Sequence, residues 1–473
     1  MTSDFGMIGL GTMGRNFALN VKDKGFSVCG FDPDENQRNR FLSEGSSTSV
    51  SVAGSLTDLV AKVRPPGIFM LLVPAGKIVD SVINELLPVL TKGAILIDGG
   101  NSHYTDTERR YQALQAQGIH FIGMGVSGGE AGARFGPSMM PGGNPESYKM
   151  IKNILEAAAA KASDGAPCVA YMGNSAAGHY VKMVHNGIEY AMMQLISEVY
   201  ALLKTRGYSN TQLQALFEQW DQNELQSYLI GITSQIFKQK DELSQNDLVD
   251  MILDKAKQKG TGLWTSQSAL ELNVPVPVID TAVSMRYLSS LKEARTRFSK
   301  LYFYRKPNPQ KPNELLEVSC KNALYFGFVL AYTQGMNLIK EASAAFGYDI
   351  DIKTVLQVWR AGCIIRSALL SDLYLAQDAE PELESILASK IFVPILQQKR
   401  ESVTAVISTS MSNGVATPAL AASLNYLDAF TSERLPANLI QAQRDYFGAH
   451  TFERLDKEGT FHTQWDPAKA TKG

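Results

Sequence analysis

The tightest constraint on the fold stands at the start of the chain. Phe5-Gly6-Met7-Ile8 reads as a short apolar strand, Gly9-Leu10-Gly11-Thr12-Met13-Gly14 as a glycine turn, and Met13 to Lys24 as a helix. The three glycines have separate uses. The first permits the turn, the second lets an anion approach the backbone, and the third allows helix and strand to pack closely. Free amides and the dipole at the helix start favour a pyrophosphate. A second strand, Ser27 to Phe31, ends at Asp32, 18 residues after Gly14. A carboxylate there accepts from the ribose hydroxyls of NAD and repels the 2′-phosphate of NADP. Gly9, Leu10, Gly11, Thr12, Met13, Gly14 and Asp32 are therefore the expected dinucleotide contacts, with NAD favoured. Asp34 and Glu35 add negative charge nearby, and Arg38 and Arg40 read as exposed helix residues.

Further apolar runs at Gly67 to Val73, Ala94 to Asp98 and His120 to Gly123 read as strands, with helical patterns such as Lys77 to Leu90 between them. Strict alternation implies a parallel, doubly wound sheet of Rossmann type. After about Ala176 the strand signal ends. Long apolar-periodic segments follow at Gly178 to Lys204, Thr211 to Phe237 and Lys321 to Ala345, with loops expected at Pro275, Pro277 and Lys306-Pro307-Asn308-Pro309. Asn186-Gly187-Ile188 with Gly207-Tyr208 and Trp220 is echoed by Asn322-Ala323-Leu324 with Gly347-Tyr348 and Trp359, which points to a duplicated helical unit. The expected organisation is a dinucleotide-binding domain over 1–176, an all-helical substrate and dimerisation domain over 177–433, and an extended tail over 434–473.

A chain of 473 residues exceeds one hydrophobic core. Its formal net charge of −2 gives no basic field for nucleic acid, so an acidic ligand must be held by local basic residues. Cys29, Cys168, Cys320 and Cys363 have no paired spacing, against both a disulfide framework and a zinc site. No targeting segment and no run near the roughly 18 apolar residues of a membrane span is visible, so a cytoplasmic enzyme is expected.

The helix from about Gly178 is mostly apolar, yet Lys182, His185, Asn186, Glu189 and Tyr190 fall at i, i+3, i+4, i+7 and i+8. They share a face roughly 140° wide. A solvated stripe with a Lys–Glu pair is the plain alternative. The duplicated unit serves as a control: Val318 stands in place of Lys182, Lys321 of His185 and Tyr325 of Glu189, and only the asparagine persists. An architectural stripe would have been kept, so the stripe belongs to chemistry.

Segments along almost the whole chain resemble the decarboxylating 6-phosphogluconate dehydrogenases. They are Leu71 to Gly76, Asp98 to Ser102, Gly125 to Glu130, Gly132 to Gly143, Lys182 to Tyr190, Gln258 to Gly262, Gln443 to His450 and Phe461-His462-Thr463. The resemblance implies oxidation of a 3-hydroxy acid at C3, loss of its carboxylate as carbon dioxide, and ribulose 5-phosphate as product, in gluconate use through the pentose phosphate pathway. It assigns Lys182 as base and later acid, Glu189 as proton donor to C1 of the enediol, and Asn101 and His185 to the catalytic group. Lysine needs a lowered pKa for this, and a buried glutamate a raised one. Val73, Pro74, Ala75 and Asn101 would line the cofactor. Asn101, Ser127, Gly128, Gly129, His185 and Asn186 would bind carboxylate and hydroxyls. Tyr190, Lys259, Thr261 and Arg286 would hold the phosphate, with Arg444 and His450 from the tail of the other subunit of a homodimer. No metal is implied, because the β-keto acid is its own electron sink. His103, His120, His179 and His462 read as structural.

The resemblance also implies NADP, but family members that use it carry Asn-Arg-Thr after the second strand, where this chain has Asp32-Pro33-Asp34. Two other functions compete. A shorter hydroxyisobutyrate-type dehydrogenase shares the glycine loop, the Ser-Gly-Gly turn and the lysine, but lacks the second helical copy and the tail. A silent dinucleotide sensor would have no need of Lys182, Glu189 and Asn101.

Overall fold

The computed structural model describes residues 2–46, 48–302 and 313–465; the Lys306–Pro309 stretch lies outside them. Strands β1 (Phe5–Ile8), β2 (Val28–Phe31), β3 (Val50–Val52), β4 (Ile68–Leu71), β5 (Ile95–Asp98), β6 (His120–Ser127) and β7 (Ser138–Gly143) form one sheet in the order β3-β2-β1-β4-β5-β6-β7. The first six are parallel. Helices α1 (Thr12–Asp23), α2 (Glu35–Gly45), α3 (Leu56–Lys62), α4 (Lys77–Leu86), α5 (Tyr104–Gln115), α6 (Gly129–Phe135) and α7 (Pro145–Ala158) connect them. Side chains alternate along each strand: Met7, Met70 and Ile97 pack with Phe17 and Ile151 on one face, and Ile8, Leu71 and Leu96 with Leu59, Ile83 and Leu114 on the other. This is the doubly wound arrangement expected.

Two departures concern strands. β3, only three residues long, lies outside the runs that read as strands, and β7 runs antiparallel to β6, pairing Ser127 with Ser138 and Ile122 with Gly143. Pro141, Gly142 and Gly143 hide β7 from a reading based on strand-forming residues, and proline is tolerated because β7 is an edge. The sheet is thus parallel except at this edge.

The helical region comprises α8 (Ala177–Thr205), α9 (Asn210–Trp220), α10 (Tyr228–Lys238), α11 (Leu248–Met251), α12 (Thr261–Glu271), α13 (Pro277–Ser290), α14 (Lys292–Phe298), α15 (Glu314–Phe346), α16 (Ile352–Trp359), α17 (Ala368–Ala379), a 3₁₀ turn (Ile386–Ala388), α18 (Phe392–Ser412) and α19 (Pro418–Phe430). The expected single run from Thr211 to Phe237 is two helices. Ser227 caps α10 by accepting from Ile230 N, and Asp221 accepts from Ser227 N at 3.0 Å. Pro277 is the first residue of α13 rather than a loop residue, the position where its missing N–H costs nothing.

The duplication is visible as α8-α9-α10 against α15-α16-α17, with leading helices of 29 and 33 residues. The copies meet at equivalent points: Tyr228 N donates to Arg366 O at 3.1 Å, and Ala368 N to Gln226 O at 2.8 Å.

The chain divides into two compact units, within 1–423 and 424–473. The smaller is more ordered than the expected extended tail: α20 (Ala437–Gly448) precedes a hairpin of β8 (Phe452–Glu453) and β9 (Thr460–Phe461). No described helix is long and apolar enough to cross a membrane.

Candidate active site

The order of β1 and β4 in the sheet makes a switch point, where an open α/β sheet receives ligands beyond its strand ends. Gly9 turns there with φ +92°, and a Cβ on it would meet Leu72 O at 2.6 Å; one on Gly14 would meet Gly9 O at 1.9 Å. A Cβ on Gly11 would meet nothing. No protein atom crowds that glycine, and its bare backbone is open to the close approach of an anion. α1 begins with no side-chain cap and no acidic residue in its first turn, which leaves amides free for an anion. A dinucleotide pyrophosphate fits these groups.

Asp32 stands at this corner with its carboxylate engaged: Oδ2 accepts from Leu10 N at 2.7 Å and Oδ1 from Asp34 N at 2.9 Å. Arg38 is less free than expected. Its Nη1 donates to the carbonyls of Asp32 and Pro33 at 2.6 and 3.1 Å, which brings a cation to the end of β2.

α8 lies hard against β6 and β7. A Cβ on Gly178 would be 2.2 Å from both Gly123 O and Met140 O, and one on Gly125 would be 2.3 Å from Lys182 Cβ. That approach seals the polar stripe: Lys182, His185, Asn186 and Tyr190 are buried and Glu189 is nearly so. The solvated-stripe alternative fails. Burial pushes the Lys182 amine down to about 8, against the opposing pull of Glu189 and Cys363. Burial and the Lys182 charge press His185 well below its ordinary value, so its ring is neutral. Its Nδ1 lies 3.3 Å from Lys182 Nζ and 3.0 Å from Asn186 Oδ1, and its Nε2 3.3 Å from Ser127 Oγ. In the tautomer protonated on Nδ1, the ring donates to Asn186 and accepts the Ser127 hydroxyl. Burial raises Glu189 while Lys182 and Arg286 oppose it.

Asn101, Lys182, Asn186 and Thr261 line one small pocket. Ser127 ends β6, and Gly128 and Gly129 turn into α6. α12 packs against α8 where a Cβ on Gly262 would strike the Tyr190 ring at 2.5 Å. The Arg286 guanidinium covers that ring at 3.6 Å and donates from Nη1 to Lys257 O at 2.9 Å, beside Lys259, which is exposed. Val73, Pro74 and Ala75 form the β4–α4 loop. Arg444 and His450 belong to the 424–473 unit.

Several supporting residues went unread. Arg110, 2% exposed, donates to Asp80 Oδ1 (2.8 Å), Ser102 Oγ (3.3 Å), Asp98 Oδ2 (3.5 Å) and Gly76 O (3.0 Å). It ties the loop after β4 to the loop carrying Asn101. His179, read from the sequence as structural, sits one turn before Lys182 and lines the pocket; its Nδ1 meets Thr107 Oγ1 at 2.7 Å. Trp359 lies edge-on to His185 at 5.9 Å. In the second copy the retained Asn322 is committed to Lys399 Nζ at 2.8 Å, itself paired with Glu224 at 3.0 Å. That spot is filled, not a second site.

The description "NAD binding domain of 6-phosphogluconate dehydrogenase" matches residues 4–173, and "6-phosphogluconate dehydrogenase, C-terminal domain" matches 178–465. A 6-phosphogluconate dehydrogenase, decarboxylating, of Lactococcus lactis is 47% identical over 465 residues, covering 98% of each chain. The NADP(+)-dependent enzyme of that name from Bacillus subtilis is 48% identical, covering 97% of this chain and 98% of its own. The solved Plasmodium falciparum 6-phosphogluconate dehydrogenase, described with NADP+ and with 6-phosphogluconate, superposes with a TM-score of 0.94 at 39% identity, covering 98% of this chain and 100% of its own. The chain belongs to the 6-phosphogluconate dehydrogenase family.

Proposed function

We propose that this chain oxidises 6-phosphogluconate at C3 with a nicotinamide dinucleotide and decarboxylates the product to ribulose 5-phosphate, the pentose phosphate reaction for which its relatives are named. The observation that carries the reading is the buried Lys182 amine, near 8, beside a neutral His185 in a pocket shared with Asn101 and Asn186. Oxidation at C3 draws on the dinucleotide as hydride acceptor. Lys182 takes the C3 hydroxyl proton as the hydride leaves. The C1–C2 bond of the 3-keto acid then breaks, carbon dioxide departs, and its electron pair passes to the keto oxygen, which takes the proton back from Lys182. Glu189, whose carboxyl burial raises toward its protonated form, gives its proton to the terminal carbon of the enediol while Lys182 takes the enol hydroxyl proton back, which leaves the 2-keto sugar phosphate.

Asn101, Ser127, Gly128, Gly129, His185 and Asn186 hold the carboxylate and hydroxyls. Tyr190, Lys259, Thr261 and Arg286 hold the phosphate, completed by Arg444 and His450 from the tail of a second subunit. A covered face beside Arg286 is supported by a cleft of about 520 Å³ in which Ile252 is 60%, Leu253 59% and Leu288 46% exposed. The test is formation of reduced nicotinamide with 6-phosphogluconate; none with either dinucleotide refutes the reading.

For the cofactor we infer a preference for NAD, because Asp32, Asp34 and Glu35 crowd the position of a 2′-phosphate. NADP is favoured instead by Arg38 at the same corner and by the cofactor named for the Bacillus subtilis and Plasmodium falciparum relatives. kcat/KM with each cofactor decides. A strong NADP preference that Arg38→Ala abolishes, with NAD turnover intact, would overturn the inference.

A further inference from the structure

Within the 424–473 unit one carboxylate is wholly enclosed. Asp445, near the end of α20, is 0% exposed. Its Oδ1 accepts from Thr451 N at 2.9 Å and meets His462 Nδ1 at 2.8 Å; its Oδ2 accepts from Thr463 N at 3.1 Å and Trp465 Nε1 at 2.8 Å. These donors fill its acceptor capacity. Desolvation works to raise the carboxyl, but the hydrogen bonds outweigh it and hold it at about 2. The hub gathers the helix end, the following loop and the Phe461-His462-Thr463 segment, and so gives that motif a use.

The loop it fixes carries His450 between two left-handed residues, Ala449 (φ 50°) and Thr451 (φ 62°). Such residues persist only where their surroundings hold them. Asp445 holds both: its carbonyl takes Ala449 N at 2.9 Å and its carboxylate takes Thr451 N. Gln441, one turn earlier, adds a second tie. Its Oε1 accepts from Arg444 Nη1 at 3.1 Å, and its Nε2 donates to Thr451 O at 2.6 Å. The Arg444 side chain thus hangs on Gln441, and the backbone beside His450 on Gln441 and Asp445. Both basic groups are exposed, and Arg444 forms no ion pair among the described residues.

We propose that Asp445 and Gln441 are positioning residues that set Arg444 and His450 at a fixed spacing, as a joint grip on a phosphate dianion. This rests on the reading of Arg444 and His450 as phosphate ligands. Holding a long cationic side chain in place beforehand removes an ordering cost from binding.

The test uses the full-length protein with 6-phosphogluconate. Asp445→Asn keeps the shape but turns an amide group towards existing donors. Gln441→Met, on the helix surface, removes both ties and serves where Asp445→Asn fails to melt as a folded protein. Each is expected to raise KM for 6-phosphogluconate about tenfold, the scale of one lost charge-assisted hydrogen bond, while leaving KM for the dinucleotide within about twofold. Combined with His450→Ala, Asp445→Asn is expected to add nothing, because it acts through the loop that carries that histidine. The proposal is overturned if Arg444→Ala raises KM and the folded positioning variants do not, or if the losses add. If Arg444→Ala itself leaves KM unchanged, the phosphate-ligand reading of Arg444 fails instead.

Discussion

The role proposed for Lys182 turns on the lowered pKa of its amine. With its amine near 8, about a tenth is free at pH 7, against almost none for an ordinary lysine. The base is the deprotonated form, so kcat/KM for 6-phosphogluconate should climb with pH and level off above about 8; a profile flat from pH 6 to 9 would remove Lys182 from that role. Lys182→Met should abolish oxidation while dinucleotide binding, followed by fluorescence, persists. Arg110 makes a contrasting case. Arg110→Met leaves Asp98 buried without its cation, a loss of about 3–5 kcal/mol, and loosens two loops at once. A lowered melting temperature with a raised KM for dinucleotide is expected, and an unchanged KM would confine Arg110 to stability. The sequence announced Lys182 and was silent on Arg110 for a physical reason. A polar face on an apolar helix is a periodic local signal. The partners of Arg110 come from Gly76, Asp80, Asp98 and Ser102, which only the strand order brings together.

α8 is the element on which the site depends, and two contacts fix it. At its start, Gly178 touches the backbones of β6 and β7 so closely that Gly178→Ala must lift the helix by overpacking, at a cost of about 1–3 kcal/mol. Because Lys182 rides on the next turn, activity should fall further than the melting temperature alone accounts for; a folded variant with parental kcat would show the contact to be slack. Further along, buried Glu198 accepts from Ala419 N at 2.8 Å and Leu420 N at 2.9 Å, capping α19. Burial raises its carboxyl to about 7 despite the opposing hydrogen bonds from Gln194, Leu420 and Ala419. The folded value lies above the unfolded one, near 4.3, so its stabilisation is complete below about pH 4 and is lost as pH rises through 7. The melting temperature of the parent should therefore drop relative to Glu198→Gln between pH 5 and 8; parallel curves would contradict it. Elements were legible where one periodicity ran unbroken, as in α8 and α15. β7 was not, because Pro141, Gly142 and Gly143 read as a turn, and the gap between α9 and α10 was not, because Asp221 and Ser227 sit inside an otherwise continuous apolar pattern.

At the scale of the whole molecule, the proposal that the tail of a second subunit completes each site has a direct test. Lys182 and Arg286 lie in the larger unit, and Arg444 and His450 in the smaller. Shared and self-contained sites differ in a way that two inactive variants expose. Lys182→Ala destroys the base, and Arg444→Ala weakens the phosphate grip. Suppose the tail serves the partner. In a hybrid dimer, the subunit with intact Lys182 then receives its tail from the Lys182→Ala chain, whose Arg444 is intact, and one complete site forms. The other site carries both defects. Random pairing makes half the dimers hybrid, so co-expression should recover about a quarter of parental activity at 6-phosphogluconate concentrations below KM. Suppose instead that each tail serves its own subunit. Every site in the hybrid then carries one defect or the other, and mixing restores nothing beyond the sum of the two variants. The recovered activity should also show the parental KM, since the site regained is complete; recovery with the raised KM of Arg444→Ala would mean that the tails had not exchanged.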